Sequence, residues 1–227
     1  PNMSDPDTNR HANKAQPPTN TDSDVEPNSQ PRTPLDATHF DNNTSCVDGG
    51  CLITMANGLT KPMAEVEKGN LVRGHDGSPA LVICVTHMQG FQGDIPLANL
   101  EGGCRITAGH PIWQQDGGSS GIGNSRWVLP HSTSEIALTP CSMLCNLVLK
   151  DSHGYWVQGT LCAALGCKVM AGADHHPFYG TQEAISNLMT SPHYHNGLVQ
   201  LDAAGPIRDA HTGRTCGFRF LGNQPMY

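Results

Sequence analysis

The chain has 227 residues, 37% of them hydrophobic and 5% aromatic, with a formal net charge of −7. That length supports one domain of ordinary size plus a tail, and the negative balance argues against a broad nucleic-acid surface. No apolar run approaches the roughly 18 to 20 residues that a membrane-spanning helix needs.

Residues 1 to 45 are rich in Pro, Asn, Asp, Ser and Thr, with Phe40 the only aromatic. Such a segment buries too little apolar surface to offset its ordering entropy, so it is read as a disordered linker to an upstream domain. The chain starts at Pro1 and is read as a fragment of a longer protein, so the lack of a signal peptide leaves its compartment open. From Cys46 the texture changes. Leu52-Ile53-Thr54-Met55 predicts a strand closed by the hairpin signal Asn57-Gly58. Lys61 to Val66 is a short second element. Leu71 to Arg73 and Ala80 to Val85 are strands around the turn Asp76-Gly77. Arg105-Ile106-Thr107 leads into Gly109-His110-Pro111-Ile112-Trp113, and Gly117 to Gly123 is a flexible Gly/Ser loop. Trp127-Val128-Leu129 ends at Pro130. Met143 to Leu149 and Tyr155 to Val157 read as the arms of a hairpin turning near Ser152-His153-Gly154. Thr181 caps a helix whose one face carries Ala184, Ile185, Leu188 and Met189, ended by Pro192. The remainder is turn-rich with short strands. Short strands at close spacing indicate an all-β domain.

Nine cysteines leave at least one unpaired in a monomer. None forms a Cys-x-x-Cys pair, which weakens a zinc finger or ribbon reading. Cys46 opens the ordered part, so its amide nitrogen lies at a junction and suits chemistry on the Ser45–Cys46 peptide bond. A thiol is an apt nucleophile because it is partly ionised near neutral pH. Cys51 is the rival nucleophile. Cys84, Cys104 and Cys216 read as small buried hydrophobes. Asp174-His175-His176 with His193 and His195 has metal-ligand chemistry and supports a zinc-binding alternative.

Three separated motifs resemble the Hint superfamily, which contains inteins and the autoprocessing domain of Hedgehog proteins. Cys46 to Gly69 resembles the opening pattern of Cys, Gly, strand, Gly turn and Val/Leu-x-x-Gly turn, with Asn70 in place of the usual Asp. In that pattern Cys51 occupies a strand position usually held by Ser or Thr. Thr107-Ala108-Gly109-His110 matches the Thr-x-x-His motif. Asn146 with His153 resembles the late block in which an acid or Cys precedes a His by the same interval. Val157 to Cys162, Leu165-Gly166 and His176 to Thr181 look like the Vint subfamily, found with von Willebrand A domains, in which a His usually stands at Cys167. The resemblance covers roughly residues 46 to 200.

The resemblance implies an all-β Hint-type horseshoe of two pseudo-symmetric halves over residues 46–167, with a Vint-like extension over 168–227 carrying one short helix. It implies a cofactor-free N-to-S acyl shift that acts once, in cis. Cys46 attacks the Ser45 carbonyl, His110 protonates the leaving nitrogen, and Thr107 orients the bond. His153 supports later proton transfers, and Asn146 stands where many relatives have an acid. Inteins finish with a His-Asn pair, and the matching positions here are Ala163 and Ala164, so splicing is not expected. The expected acceptor is water, a thiol or an amine, acting on an upstream domain, von Willebrand A type by this resemblance. A monomer is expected, with neither nucleic acid nor membrane as partner. The alternative is a catalytically degenerate Hint module kept as a protein interaction domain.

Overall fold

The structure is a computed structural model in which residues 45–115, 125–166, 178–212 and 214–222 are described. Residues 1–44, Gly117 to Gly123, Cys167 and the Asp174-His175-His176 cluster lie outside them. Turn signals cut the chain into short strands: β1 (Val47–Asp48), β2 (Leu52–Thr54), β3 (Thr60–Pro62), β4 (Leu71–Arg73), β5 (Pro79–Gln89), β6 (Ile95–Asn99), β7 (Arg105–Thr107) and β8 (Ile112–Gln115). There follow β9 (Ser125–Val128), β10 (Ile136–Thr139), β11 (Met143–Lys150), β12 (Gly154–Val157), β13 (Thr160–Ala163), helix α1 (Gln182–Leu188), β14 (Leu198–Asp202), β15 (Ile207–Arg208) and β16 (Thr215–Gly217). No described helix is long and apolar enough to cross a membrane. Among the described residues the fold is all-β with one short α-helix.

An eight-stranded sheet runs β10-β6-β7-β1-β11-β5-β14, with β4 also on β5, and a six-stranded sheet runs β3-β2-β12-β13-β8-β9. Along β11, side chains alternate between two cores, as strand geometry requires. Cys145 and Leu147 join Val47, Ile53, Ile106, Tyr155 and Val157 in the first. Leu144 and Val148 join Cys46, Met88, Phe178, Leu188 and Phe218 in the second. Burying a large apolar side chain of this kind contributes about 1.5–3 kcal/mol, so the second core is what attaches the C-terminal segment. There the Phe178 and Phe218 rings lie 5.2 Å apart, and β14 adds to β5 in parallel. A parallel pairing needs a long crossover, and the chain through α1 provides it.

Several local readings change. β11 and β12 are not hairpin arms. Both edges of β11 are taken, by β1 and β5, so β12 crosses to the other sheet and pairs with β2 and β13. Asp151 makes that exit with a positive φ of 57°, a conformation Asp tolerates better than most residues. The tight turn in this region joins β12 to β13, where Gln158 and Gly159 both have positive φ, as a type I′ turn demands. Thr181 sits at the start of α1 without a side-chain cap bond; its hydroxyl donates instead to the Phe178 carbonyl at 2.7 Å. The helix buries Ala184 and Leu188 but stops there, leaving Met189 exposed. Cys84 and Cys104 are buried, whereas Cys216 is exposed because it faces outward from the small β15–β16 sheet. Ser45, assigned by composition to the tail, is buried.

Candidate active site

Strand register assembles the site. β1 lies between β7 and β11, with Val47 opposite Ile106 on one side and Cys145 on the other. Stepping back one residue along antiparallel strands sets Cys46 across from Thr107 and from Asn146. One short strand therefore delivers the junction cysteine to two polar side chains distant in sequence.

Thr107 grips Cys46 at both ends. The Cys46 amide donates to Thr107 Oγ1 at 3.0 Å. The Cys46 carbonyl accepts from the Thr107 amide at 2.9 Å and from its hydroxyl at 3.2 Å. On the other flank, Asn146 Nδ2 donates to the Ser45 carbonyl oxygen. Asn146 Oδ1 accepts from the Tyr155 hydroxyl at 2.9 Å and from the Leu147 amide at 2.7 Å. Two donors on that oxygen identify it as the acceptor end of the carboxamide and leave the NH2 end to face Ser45.

His110 is brought in by the turn after β7, where its amide donates to the Thr107 carbonyl at 3.0 Å. Its imidazole is fully buried, and neither ring nitrogen has a hydrogen bond of ordinary geometry. Burial pushes its pKa down from 6.5 to about 3, while the nearby backbone of Ala163 and Ser45 favours the charged form and offsets part of that. The ring is thus neutral at ordinary pH, with one N–H donor and one acceptor nitrogen. Ser45 is 4% exposed and Cys46 2%, so the peptide bond between them is shielded from bulk water.

His153 lies elsewhere. It is exposed, its ring centroid is 5.1 Å from that of His75, and its amide points at His75 Nδ1. Its backbone carbonyl accepts from the Ala164 amide. Cys145 is buried beside the site, and burial, then the neighbouring Cys46 thiol, pushes its pKa well up. Cys51 is buried against Cys104, and that thiol contact followed by burial raises its pKa strongly. All eight described cysteines are outside disulfides. No group of three or more described His, Cys, Asp or Glu side chains could hold a metal. From the sequence Tyr155 reads only as a strand residue. The one available signal was that a buried tyrosine seeks a partner for its hydroxyl, and the sequence does not say which partner.

This arrangement can polarise a carbonyl through an amide donor, hold the adjoining nitrogen through a hydroxyl and relay a proton through an imidazole that has one donor and one acceptor nitrogen. Fold and site together define a Hint domain, the autoprocessing type of fold. The Vint family of Hint domains matches residues 45–217, and the chain belongs to that family. Among solved structures it is similar to the MchDnaB-1 intein, at 18% identity and a TM-score of 0.34, covering 52% of this chain and 98% of that one. It is also similar to the Msm DnaB1 intein splicing domain bound with zinc, at 17% identity and a TM-score of 0.35, with the same coverages. No curated protein matches the chain.

Proposed function

We propose that the chain processes itself at the Ser45–Cys46 bond through an N-to-S acyl shift. The Cys46 Sγ bonds to the Ser45 carbonyl carbon, and the oxyanion that forms takes the Asn146 Nδ2 hydrogen bond. The carbon–nitrogen bond then breaks. As the sulfur attacks, the thiol proton passes to the acceptor nitrogen of the neutral His110 ring, and the imidazolium so formed gives a proton to the Cys46 nitrogen as the carbon–nitrogen bond breaks, so the proton count balances with no outside reactant. Thr107 holds the leaving nitrogen throughout. The single observation that carries this reading is the Asn146 amide donating to the carbonyl of the bond before the cysteine. Removing one such oxyanion donor typically slows acyl transfer by about 10² to 10³.

The thioester is then taken by water or by a small external thiol or amine, which releases the upstream polypeptide. Splicing is not part of the reaction, because Ala163 and Ala164 offer no side chain that could cyclise. His153 takes no part in the first step, since its ring faces His75 at the surface. The test is the intact mass of the full chain, tagged ahead of Pro1 and incubated with dithiothreitol. The expected result is a split between Ser45 and Cys46 that Cys46→Ala abolishes. A folded wild-type chain that stays whole under every thiol would instead make this a Hint-shaped interaction module.

A further inference from the structure

We propose that Tyr155 is a positioning residue for this acyl shift, its hydroxyl fixing the Asn146 carboxamide so that the NH2 end faces the Ser45 carbonyl. The inference rests on the self-processing reading and adds the group that makes its oxyanion donor dependable. A carboxamide has two ends of nearly equal size, one a donor and one an acceptor. Were Asn146 turned over, its oxygen would meet the Ser45 oxygen, two acceptors with no proton between them. The bond to Leu147 involves the next residue in the chain and moves with Asn146, so by itself it anchors the side chain poorly. Tyr155 supplies an external reference. It belongs to β12 in the six-stranded sheet, while Asn146 belongs to β11 in the eight-stranded sheet, and the 2.9 Å bond joins the two sheets at the site.

The phenol is fully buried, so no water competes for its proton. Burial, followed by the Cys162, Cys46 and Cys145 thiols around it, keeps it in the protonated, donating form. A donor held in place before the reaction costs no reorganisation when charge develops, which is where oxyanion stabilisation draws its strength.

The test is Tyr155→Phe, which keeps the ring and removes only the hydroxyl. Hydroxylamine trapping of the tagged chain gives the rate of thioester formation. Tyr155→Phe should slow it about 10-fold, less than the loss expected for Asn146→Ala. In an Asn146→Ala background, Tyr155→Phe should have no further effect, because the hydroxyl acts through the amide. A merely structural role would slow both backgrounds alike, and that result, or a wild-type rate in the single variant, overturns the proposal. A second readout needs no activity. In the Cys46→Ala chain, whose scissile bond stays intact, the Asn146 side-chain amide protons and the Ser45 carbonyl carbon have resonances set by their hydrogen bond. Tyr155→Phe should shift both. If that variant does not fold, the Cys46→Ala chain alone decides: a slowly exchanging Tyr155 hydroxyl proton is expected, and a rapidly exchanging one rejects the bond. If the unmutated chain forms no thioester at all, the self-processing reading fails, while the resonances still settle the Tyr155–Asn146 arrangement.

Discussion

Cys46 and Cys51 sit on either side of the tight Gly49-Gly50 turn, where the Cys51 amide donates to the Asp48 carbonyl. Their surroundings could hardly differ more. Around Cys46 the thiol packs into the second core, while polar groups meet the backbone beside it: Thr107 at its amide, Asn146 at the preceding carbonyl, and His110 near the Ser45 backbone. Around Cys51 the partners are the Cys104 thiol and the Arg105 backbone. One cysteine follows a carbonyl that accepts the Asn146 amide hydrogen bond. The other is a core side chain whose thiolate form is strongly disfavoured. Both cysteines are 2% exposed, so burial does not distinguish them; the groups that face the backbone beside each one do.

Alanine at each position should separate the two cysteines by the largest margin. Cys46→Ala should abolish thiol-induced scission as read by mass. Cys51→Ala should leave its rate within a few-fold, at a stability cost of about 1 kcal/mol by denaturant titration. The next largest effect is expected at His110: His110→Ala should slow thioester formation by about 10² to 10⁴, because the leaving nitrogen loses its proton donor. Asn146→Ala should cost about 10² to 10³ in the same assay. Asn146→Asp should be at least as slow, since a carboxylate would face the developing oxyanion.

The smallest effect concerns stability rather than rate. His110 has a pKa near 3 in the fold against 6.5 for the free side chain. Between those values the unfolded chain binds the extra proton, so stability falls as pH drops from about 6.5 toward 3. The slope approaches about 1.4 kcal/mol per pH unit for each such group. Burial lowers the pKa of His87 as well, which adds a loss of the same sign. Denaturant midpoints at pH 7 and pH 5 should show the decline, and His110→Gln should flatten it. A midpoint independent of pH across that range would mean that His110 is charged and paired in the fold.

The parts of the molecule legible in the sequence were the local ones. Thr107-x-x-His110 could be read because its members are joined by a single turn, closed by the His110 amide on the Thr107 carbonyl. The β2–β3 and β4–β5 pairings follow from turn signals at Asn57-Gly58 and Asp76-Gly77. What escaped depended on pairings between distant strands. The β11–β12 connection looks like a hairpin by its turn residues, and only the occupation of both β11 edges sends β12 to the other sheet. The same crossing brings Tyr155 to Asn146, so the turn residues alone point neither to the true partner of β12 nor to that hydrogen bond. Asn146 was picked out by resemblance, but what its amide touches depends on β1 lying between β7 and β11.

Hydroxylamine reports whether the Ser45 acyl group passes to the Cys46 sulfur. Applied to the tagged full chain, it should release an upstream fragment whose C-terminal Ser45 carries a hydroxamate, identified by tandem mass spectrometry, together with a fragment beginning at Cys46. An upstream fragment ending only in a free carboxylate, formed at the same rate in Cys46→Ala, would mean ordinary hydrolysis with no thioester at Cys46.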